Sequence, residues 1–237
     1  MKQNFGTGKG VVVAGGSGVI GSAICQLLEE RKIPSIATYC HRKPETSSNY
    51  NHIKSISFDM LRDGDVQRLL DFADAEGIEV NGLVVCISSR GNATPPNNLK
   101  HLVARIRLIE TFAKYMMSKQ GGSIVLMSST AGQLPVNHHS SRFYAAENGY
   151  LDGYVRGASG NFAPKVRINA VAPGIVEQRE VLSGTLHAVF EPSRIPMGRF
   201  QSPISVAETV LFLLLGSINT TGQVINVDGG ITASLNL

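Results

Sequence analysis

The fold is decided near the amino terminus, where residues 11–21 read VVVAGGSGVIG. A short, unbroken apolar run followed by glycines is typical of a strand buried on both faces of a parallel sheet. Apolar residues then recur at helical spacing between residues 23 and 28, and residues 35–39 form a second strand-like run. Strand, glycine turn, helix and strand together make a right-handed βαβ unit.

The same alternation continues to the end of the chain, without a linker or a repeat. We therefore expect a single domain over residues 1–237 with a Rossmann-type α/β fold, a doubly wound sheet of about seven parallel strands with helices on both faces. Ligands of such sheets bind at the carboxyl ends of the strands. The further strands are expected at 54–58, 82–87, 122–127, 166–171 and 223–227, and the further helices at 66–73, 99–119, 143–162 and 206–215.

Composition excludes several classes of protein. Apolar residues make up 43% of the chain and charged residues 17%, which suits a packed core. The net charge of +4 is spread without a basic run, so no nucleic-acid partner is expected. Cys25, Cys40 and Cys86 have no metal-ligand spacing, so no metal site is expected, and we interpret them as thiols of a reducing cytoplasm. The apolar runs are too short to span a bilayer, which predicts a cytoplasmic protein with no membrane partner.

The glycine turn suits a bound phosphate group. Gly15, Gly18 and Gly21 allow the backbone to turn tightly and to approach a pyrophosphate, and the following helix N-terminus supplies free N–H groups. A glycine-rich turn without a ligand is the alternative.

Further segments carry a resemblance to a known family. They read GSIVLMSS at 122–129, RINAVAPG at 167–174, PMGRF at 196–200, and TGQ through VDGG at 221–230. With the glycine turn, they resemble the short-chain dehydrogenases/reductases over nearly the whole chain. The last two segments are similar to those of β-ketoacyl-acyl-carrier-protein reductases. The turn has the GxxGxxG spacing of the family's longer branch, with Val19 where the single-domain branch has glycine.

The resemblance implies hydride transfer between a nicotinamide and a carbonyl or alcohol. In the family a tyrosine exchanges the proton, a serine bonds the substrate oxygen, and a lysine holds the cofactor ribose and stabilises the tyrosinate. Ser129 and Tyr144 fall on the serine and the tyrosine. Asn148 stands at the lysine position, and Leu102 stands near the position of an asparagine that supports a proton relay. The implied active site is therefore atypical.

The end of the second strand favours NADP(H) over NAD(H). A carboxylate there would repel a 2′-phosphate, whereas the chain has His41 and Arg42, and Arg42 could form a bidentate contact with that phosphate. A solvated basic turn is the alternative. Gln178 replaces a threonine that touches the carboxamide in the family. The residues that we expect at the cofactor are Gly15, Ser17, Gly18, Val19, Ile20, Gly21, His41, Arg42, Asp59, Met60, Cys86, Ile87, Ser88, Pro173, Gly174, Ile175 and Val176.

The missing lysine has a chemical cost. A nearby cation favours a tyrosinate, so its loss hurts alcohol oxidation more than ketone reduction, in which a neutral tyrosine is already the acid. Arg142, His138 and His139 are the candidates for a substitute cation. A solvated polar loop is the alternative for the two histidines.

Three functions stay open. The first is an NADPH-dependent reductase of a small-molecule or acyl-thioester ketone, β-ketoacyl or polyketide-like, with Tyr144 as acid under a short lid at about residues 177–200. The second is a non-catalytic subunit of the same fold that partners an active homologue, or a cofactor-binding module. The third is a dehydration or isomerisation in the same cleft. The resemblance also implies a dimer or tetramer through the helices at 99–119 and 143–162, with a second copy or a homologous subunit.

Overall fold

The computed structural model describes residues 8–41, 50–88, 95–134, 141–177 and 191–234, with the backbone alone at residues 95–98 and 141. Strands and helices alternate along this part of the chain. The strands are β1 (Lys9–Ala14), β2 (Ser35–Tyr39), β3 (Ile53–Ser57), β4 (Glu79–Val85), β5 (Gly122–Met127), β6 (Val166–Pro173) and β7 (Val224–Val227). The helices are α1 (Val19–Glu30), α2 (Asp65–Ala75), α3 (Pro95–Ser118), α4 (Ser141–Phe162), α5 (Pro203–Leu211) and α6 (Ile231–Ser234).

The seven strands form one parallel sheet in the order β3-β2-β1-β4-β5-β6-β7. The order changes direction at β1, which lies between β2 and β4. The loops that follow β1 and β4 therefore diverge and leave a crevice at the carboxyl edge of the sheet. This topology confirms the predicted Rossmann-type α/β fold.

Both faces of the sheet are buried, which explains the unbroken apolar run in β1. Val12 and Ala14 belong to the core that α2, α3 and α4 cover, whereas Val11 and Val13 belong to the core that α1 and α5 cover. Successive side chains of a strand point to opposite faces, so a strand covered on both sides has no solvent-facing position.

Some boundaries differ from the predicted ones. Strand β4 ends at Val85 and not at residue 87, because its pairing with β1 and β5 ends there. Cys86, Ile87 and Ser88 therefore lie in the loop after the strand. The last long helix ends as an α-helix at Leu211, and residues 212–216 continue it as a π-helical turn.

Candidate active site

The turn between β1 and α1 is made of backbone in close contact with backbone. Gly15 has a φ of +88°, and its N–H donates to Thr38 Oγ1 on β2 at 3.0 Å. A Cβ on Gly21 would lie 2.1 Å from the carbonyl oxygen of Gly15, so only glycine fits there. The Gly18 N–H donates to the same oxygen at 3.1 Å. These contacts fix the turn and bring the start of α1 to the crevice.

The start of α1 fits a dinucleotide pyrophosphate. Gly18, the residue that precedes the helix, has no side chain to cap its free N–H groups, and the first turn contains no acidic residue. A Cβ on Gly18 would meet only the Gly15 oxygen, at 3.4 Å, so the cleft side of the turn is open. Free N–H groups and the positive end of the helix dipole together favour an anion.

A cleft of about 210 Å³ opens beside this turn, at the carboxyl edge of the sheet. Its walls come from the glycine turn, from the ends of β4, β5 and β6, and from the facing sides of α3 and α4. The predicted site residues on its lining are Gly18, Val19, Ile20, Gly21, Cys86, Ile87, Ser88, Ser129, Tyr144, Asn148, Pro173, Gly174 and Val176, and the lining residues that were not predicted are Arg105, Met127 and Ser128.

Several predicted cofactor residues lie outside this lining. Ser17 and His41 are exposed, and Met60 is 4% exposed within the hydrophobic core. The Asp59 carboxylate accepts a hydrogen bond from the Leu61 N–H at 2.9 Å. Ile175 packs beside Ile195 and Phe200. Gly15 packs against the backbone of Cys86. Arg42, His138, His139, Gln178 and residues 179–190 of the expected lid lie outside the described residues.

Ser129 lies at the end of β5, at the start of a short 3₁₀ turn (Thr130–Gly132). Its hydroxyl oxygen accepts the Ala131 N–H at 3.2 Å, which leaves the hydroxyl proton available to a ligand in the cleft. A Cβ on Gly132 would lie 2.6 Å from the Gly149 nitrogen, so this turn packs tightly on α4. That contact holds Ser129 near the amino-terminal turn of the helix.

The neighbouring Ser128 anchors the same turn. Its hydroxyl donates to Asp152 Oδ1 at 2.5 Å, and the Gln133 side-chain amide donates to Asp152 Oδ2 at 3.1 Å. Asp152 is buried on α4, one turn beyond Asn148. One carboxylate therefore joins the end of β5, the 3₁₀ turn and α4.

Tyr144 and Asn148 lie on the same side of α4, one turn apart. Tyr144 is half-buried and lines the cleft. Asn148 is 3% exposed, and its Nδ2 donates to the backbone oxygen of Tyr144 at 2.7 Å. The side chain at the lysine position thus carries no charge and bonds its own helix. Arg142 is exposed, and it is absent from the cleft lining.

The cation of the cleft comes instead from α3. Arg105 and Glu147 are each 3% exposed and form an ion pair between α3 and α4. The sequence analysis missed both residues, although a signal was present. Arg105 lies four residues before Ile109, and Glu147 lies four residues before Leu151, so each charge interrupts a buried apolar stripe of its helix. Opposite charges in two such stripes indicate a buried pair.

Burial controls the protonation of the groups around Arg105. Burial lowers the pKa of Arg105 to about 10, and negative charge on Tyr144 would oppose that change. The pKa of His101, one turn before Arg105 on α3, is lowered by burial and then by the Arg105 charge. Burial raises the pKa of the Cys86 thiol. At neutral pH the cleft therefore holds a charged guanidinium and a neutral thiol, and the imidazole of His101 on α3 is neutral.

Comparison with known proteins identifies the family. A family model described as enoyl-(acyl carrier protein) reductase matches residues 13–232. The chain belongs to the short-chain dehydrogenase/reductase family. The human 3-oxoacyl-[acyl-carrier-protein] reductase is 31% identical over 235 residues, which cover 92% of this chain and 96% of the human protein. Carbonyl reductase family member 4 of Xenopus laevis is 28% identical, and the match covers 94% of this chain and 98% of the Xenopus protein. This short-chain dehydrogenase/reductase is thus related to reductases of acyl-carrier-protein thioesters and of carbonyl compounds.

Solved structures confirm the fold of this short-chain dehydrogenase/reductase. The structure of ElxO with NADP bound matches with a TM-score of 0.82 at 23% identity, over 95% of this chain and 99% of ElxO. A protein described as ribose-5-phosphate isomerase of Brucella melitensis matches with a TM-score of 0.83 at 21% identity, over 96% of this chain and 93% of its own.

Two kinds of feature are absent from the described residues. None of the helices in this part of the chain is both long enough and apolar enough to cross a bilayer. Among the same residues, His, Cys, Asp and Glu side chains form no group of three or more that could hold a metal ion.

Proposed function

We propose that this chain is an NADP(H)-dependent reductase of ketones, with a β-ketoacyl or polyketide-like thioester, or a related small carbonyl compound, as substrate. The observation that carries the proposal is that Ser129 and Tyr144 line the same cleft as the glycine turn at Gly18–Gly21. A proton donor and a hydroxyl for the substrate oxygen thus lie beside a turn suited to a dinucleotide. The relatives named as 3-oxoacyl reductases and carbonyl reductases support this substrate class.

Each group of residues in the cleft would have one role in cofactor binding or in catalysis. The N–H groups at the start of α1 would hold the pyrophosphate, and Cys86, Ile87, Pro173, Gly174 and Val176 would line the rest of the cofactor. When bound, the dihydronicotinamide supplies a hydride to the carbonyl carbon. The Ser129 hydroxyl donates a hydrogen bond to the carbonyl oxygen, and the Tyr144 hydroxyl gives that oxygen its proton. Tyr144 is left as a tyrosinate and regains its proton from solvent.

The preference for NADP(H) over NAD(H) rests on the end of β2. Tyr39 is the last residue of that strand, and Cys40 and His41 follow it. None of these three residues has a carboxylate that could bond a ribose hydroxyl or repel a 2′-phosphate. Arg42 would pair with the phosphate. The solved structure of ElxO, with the same fold, contains NADP.

A non-catalytic subunit is the second candidate, and one observation favours it. The lysine position supplies no charge, and one of the two N–H donors of Asn148 Nδ2 is used within its own helix. The exposed apolar residues Leu99 and Val103 on α3, and Phe143 and Tyr150 on α4, would form the interface with a second copy or a homologous subunit.

One experiment separates these functions. NADPH and NADH are titrated into the purified chain by their own fluorescence, and oxidation is then followed with an acetoacetyl thioester, with a crotonyl thioester as the control for enoyl reduction. We expect NADPH to bind more tightly than NADH and to be consumed only with the acetoacetyl substrate. Binding without turnover on any carbonyl would favour a cofactor-binding, non-catalytic subunit, and failure to bind either cofactor would overturn the reductase and leave the partner subunit.

A further inference from the structure

A buried ion pair lies between the two helices that flank the cleft, and it is expensive to keep there. Arg105 and Glu147 are each 3% exposed, and their neighbours Leu108, Phe112 and Leu151 are fully buried. The desolvation of two charges costs several kcal/mol per ion, and apolar residues of similar volume often give a more stable protein. Packing alone therefore gives a poor account of this pair.

The two partners differ in their access to the cleft. Arg105 lines it, whereas Glu147 is absent from the lining. The ion pair joins Nη2 of Arg105 to the carboxylate of Glu147, and Nε of Arg105 is buried without a hydrogen-bond partner among the described residues. Glu147 thus holds Nη2 of a guanidinium whose residue lines the cleft.

Arg105 and Tyr144 face the same cleft. Both residues line it, and a negative charge on Tyr144 would raise the pKa of Arg105. Among the described residues of that lining, Arg105 is the only side chain with a permanent positive charge. Among the described residues, the other titratable groups near this region are Glu147 and Asp152 on α4, His101 on α3, the Cys86 thiol after β4, and Asp59 after β3, which interacts with His101.

We propose that Arg105 is a positioning residue that acts through Tyr144, and that its charge stabilises the tyrosinate left when Tyr144 gives up its proton. Glu147 fixes the guanidinium and offsets part of its field. The positive charge of the active site is therefore supplied from α3, across the helix interface, while Asn148 on α4 stays neutral. The inference rests on the proposed function, in which Tyr144 exchanges the proton.

The role predicts opposite effects for the two partners. Replacement of the pair by Arg105→Met with Glu147→Gln leaves no orphan charge in the interface, so the fold is kept. In this double variant the tyrosinate of Tyr144 should form at higher pH than in the native chain. In Glu147→Gln alone, the uncompensated guanidinium should bring its formation to lower pH. Arg105→Lys keeps the charge and should stay close to native. If the pair were only structural, the two variants would not shift the titration of Tyr144 in opposite directions.

The first test is a pH titration of the cofactor-free protein, followed by near-ultraviolet absorbance. The chain has six tyrosines and no tryptophan, so subtraction of the matching variant that also has Tyr144→Phe isolates one group. Titration of Tyr144 at a higher pH in the double variant than in the native chain supports the proposal. Identical titration of Tyr144 in the native chain and in the folded double variant overturns it. This result does not depend on turnover, so it stands apart from a failure of the proposed function.

The second test uses the pH profile of kcat/KM for alcohol oxidation, which needs the tyrosinate. At about pH 8 we expect the double variant to oxidise alcohol roughly tenfold or more slowly, as a displacement of one pH unit implies. Asn148→Lys added to the double variant should return the profile toward native, because it places a cation one turn from Tyr144. An unchanged profile in the folded double variant would contradict the proposal.

Discussion

The glycine turn and the facing sides of α3 and α4 line the same cleft but are built in different ways. The turn is backbone against backbone, with the Gly15 carbonyl oxygen accepting the Gly18 N–H and leaving no room for a Cβ on Gly21. The helix pair is held by side chains, through the Arg105–Glu147 ion pair. In the glycine turn, the space available to a Cβ determines the residue type. In the helix pair, charge determines it.

This difference decides what substitution can do in each region. A backbone contact has one solution, because only glycine lacks a Cβ. A charge can be supplied from any neighbouring element whose side chain reaches the same point, as Arg105 does from α3. The turn is therefore fixed residue by residue, whereas the helix pair can keep a function while its residues change.

The largest effect is expected from Gly21→Ala. The new Cβ would meet the Gly15 oxygen at 2.1 Å and the Gly16 Cα at 2.9 Å, and backbone atoms cannot swing aside. We expect a loss of about 1–3 kcal/mol in the free energy of unfolding and loss of NADPH binding. Urea unfolding and a fluorescence titration of NADPH measure the two effects.

Gly18→Ala is the matched control for that change. Its Cβ would lie 3.4 Å from the Gly15 oxygen, an ordinary contact, and its φ is −76°. Its stability should stay within about 0.5 kcal/mol of the native chain. If Gly21→Ala binds NADPH as tightly as the native chain does, the pyrophosphate does not lie at this turn.

The next effect is on turnover, from Tyr144→Phe. Removal of the hydroxyl takes away the proton donor, so kcat for ketone reduction should fall about 10²–10⁴-fold. NADPH affinity and the unfolding midpoint should stay near native, because Tyr144 is half-buried and the ring remains. Steady-state kinetics with an acetoacetyl thioester measure the change. A variant that reduces the ketone at the native rate would place the acid elsewhere in the cleft.

The same difference explains how far the sequence could be interpreted. The run in β1 and the glycines after it predicted the fold and the turn, because burial on both faces and close backbone approach each leave one type of residue. Ser129 and Tyr144 were found by resemblance, and both line the cleft.

Arg105 was missed because its role depends on the packing of α3 against α4. The paired positions 105 and 147 are 42 residues apart in the chain. The candidates for a substitute cation, Arg142, His138 and His139, all lie close to Tyr144 in sequence, and Arg142 is exposed. A search for charges within the apolar stripes of α3 and α4 would have found Arg105 and Glu147. Interactions between elements need that kind of paired pattern, since spacing within one helix cannot show them.

A moderate effect is expected from Asp152→Ala, in the region held by side chains. The change leaves the Ser128 hydroxyl and the Gln133 amide without their acceptor. Ser128 is buried, so the loss of its acceptor should lower the free energy of unfolding by about 1–3 kcal/mol, whereas the exposed Gln133 amide can bond water. Asp71→Ala is the control, because its bond to Gln67 is exposed, and it should cost less than about 0.5 kcal/mol. Equal losses in urea unfolding would show that Asp152 anchors nothing.

The smallest effect concerns Asp228, a carboxylate held by backbone and by one hydroxyl. It packs against Gly174 of the cleft, and it accepts hydrogen bonds from the Gly230 N–H at 2.9 Å and from the Thr232 N–H and hydroxyl at 2.8 and 2.6 Å. Burial raises the pKa of this carboxyl, but the bonds from Thr232 and Gly230 outweigh burial and hold it below its usual value.

Because the folded pKa is lowered, the unfolded chain binds this proton more tightly than the native chain does. The stabilisation is therefore complete above the unfolded value of about 3.9 and is lost as the pH falls through the folded value. Asp228→Asn should cost about 1 kcal/mol at neutral pH and should flatten this part of the acid dependence, as urea unfolding at a series of pH values would show. If the variant loses stability in acid as steeply as the native chain does, the charge of Asp228 does not support the folded loop, and the backbone bonds alone hold Gly174 at the cleft.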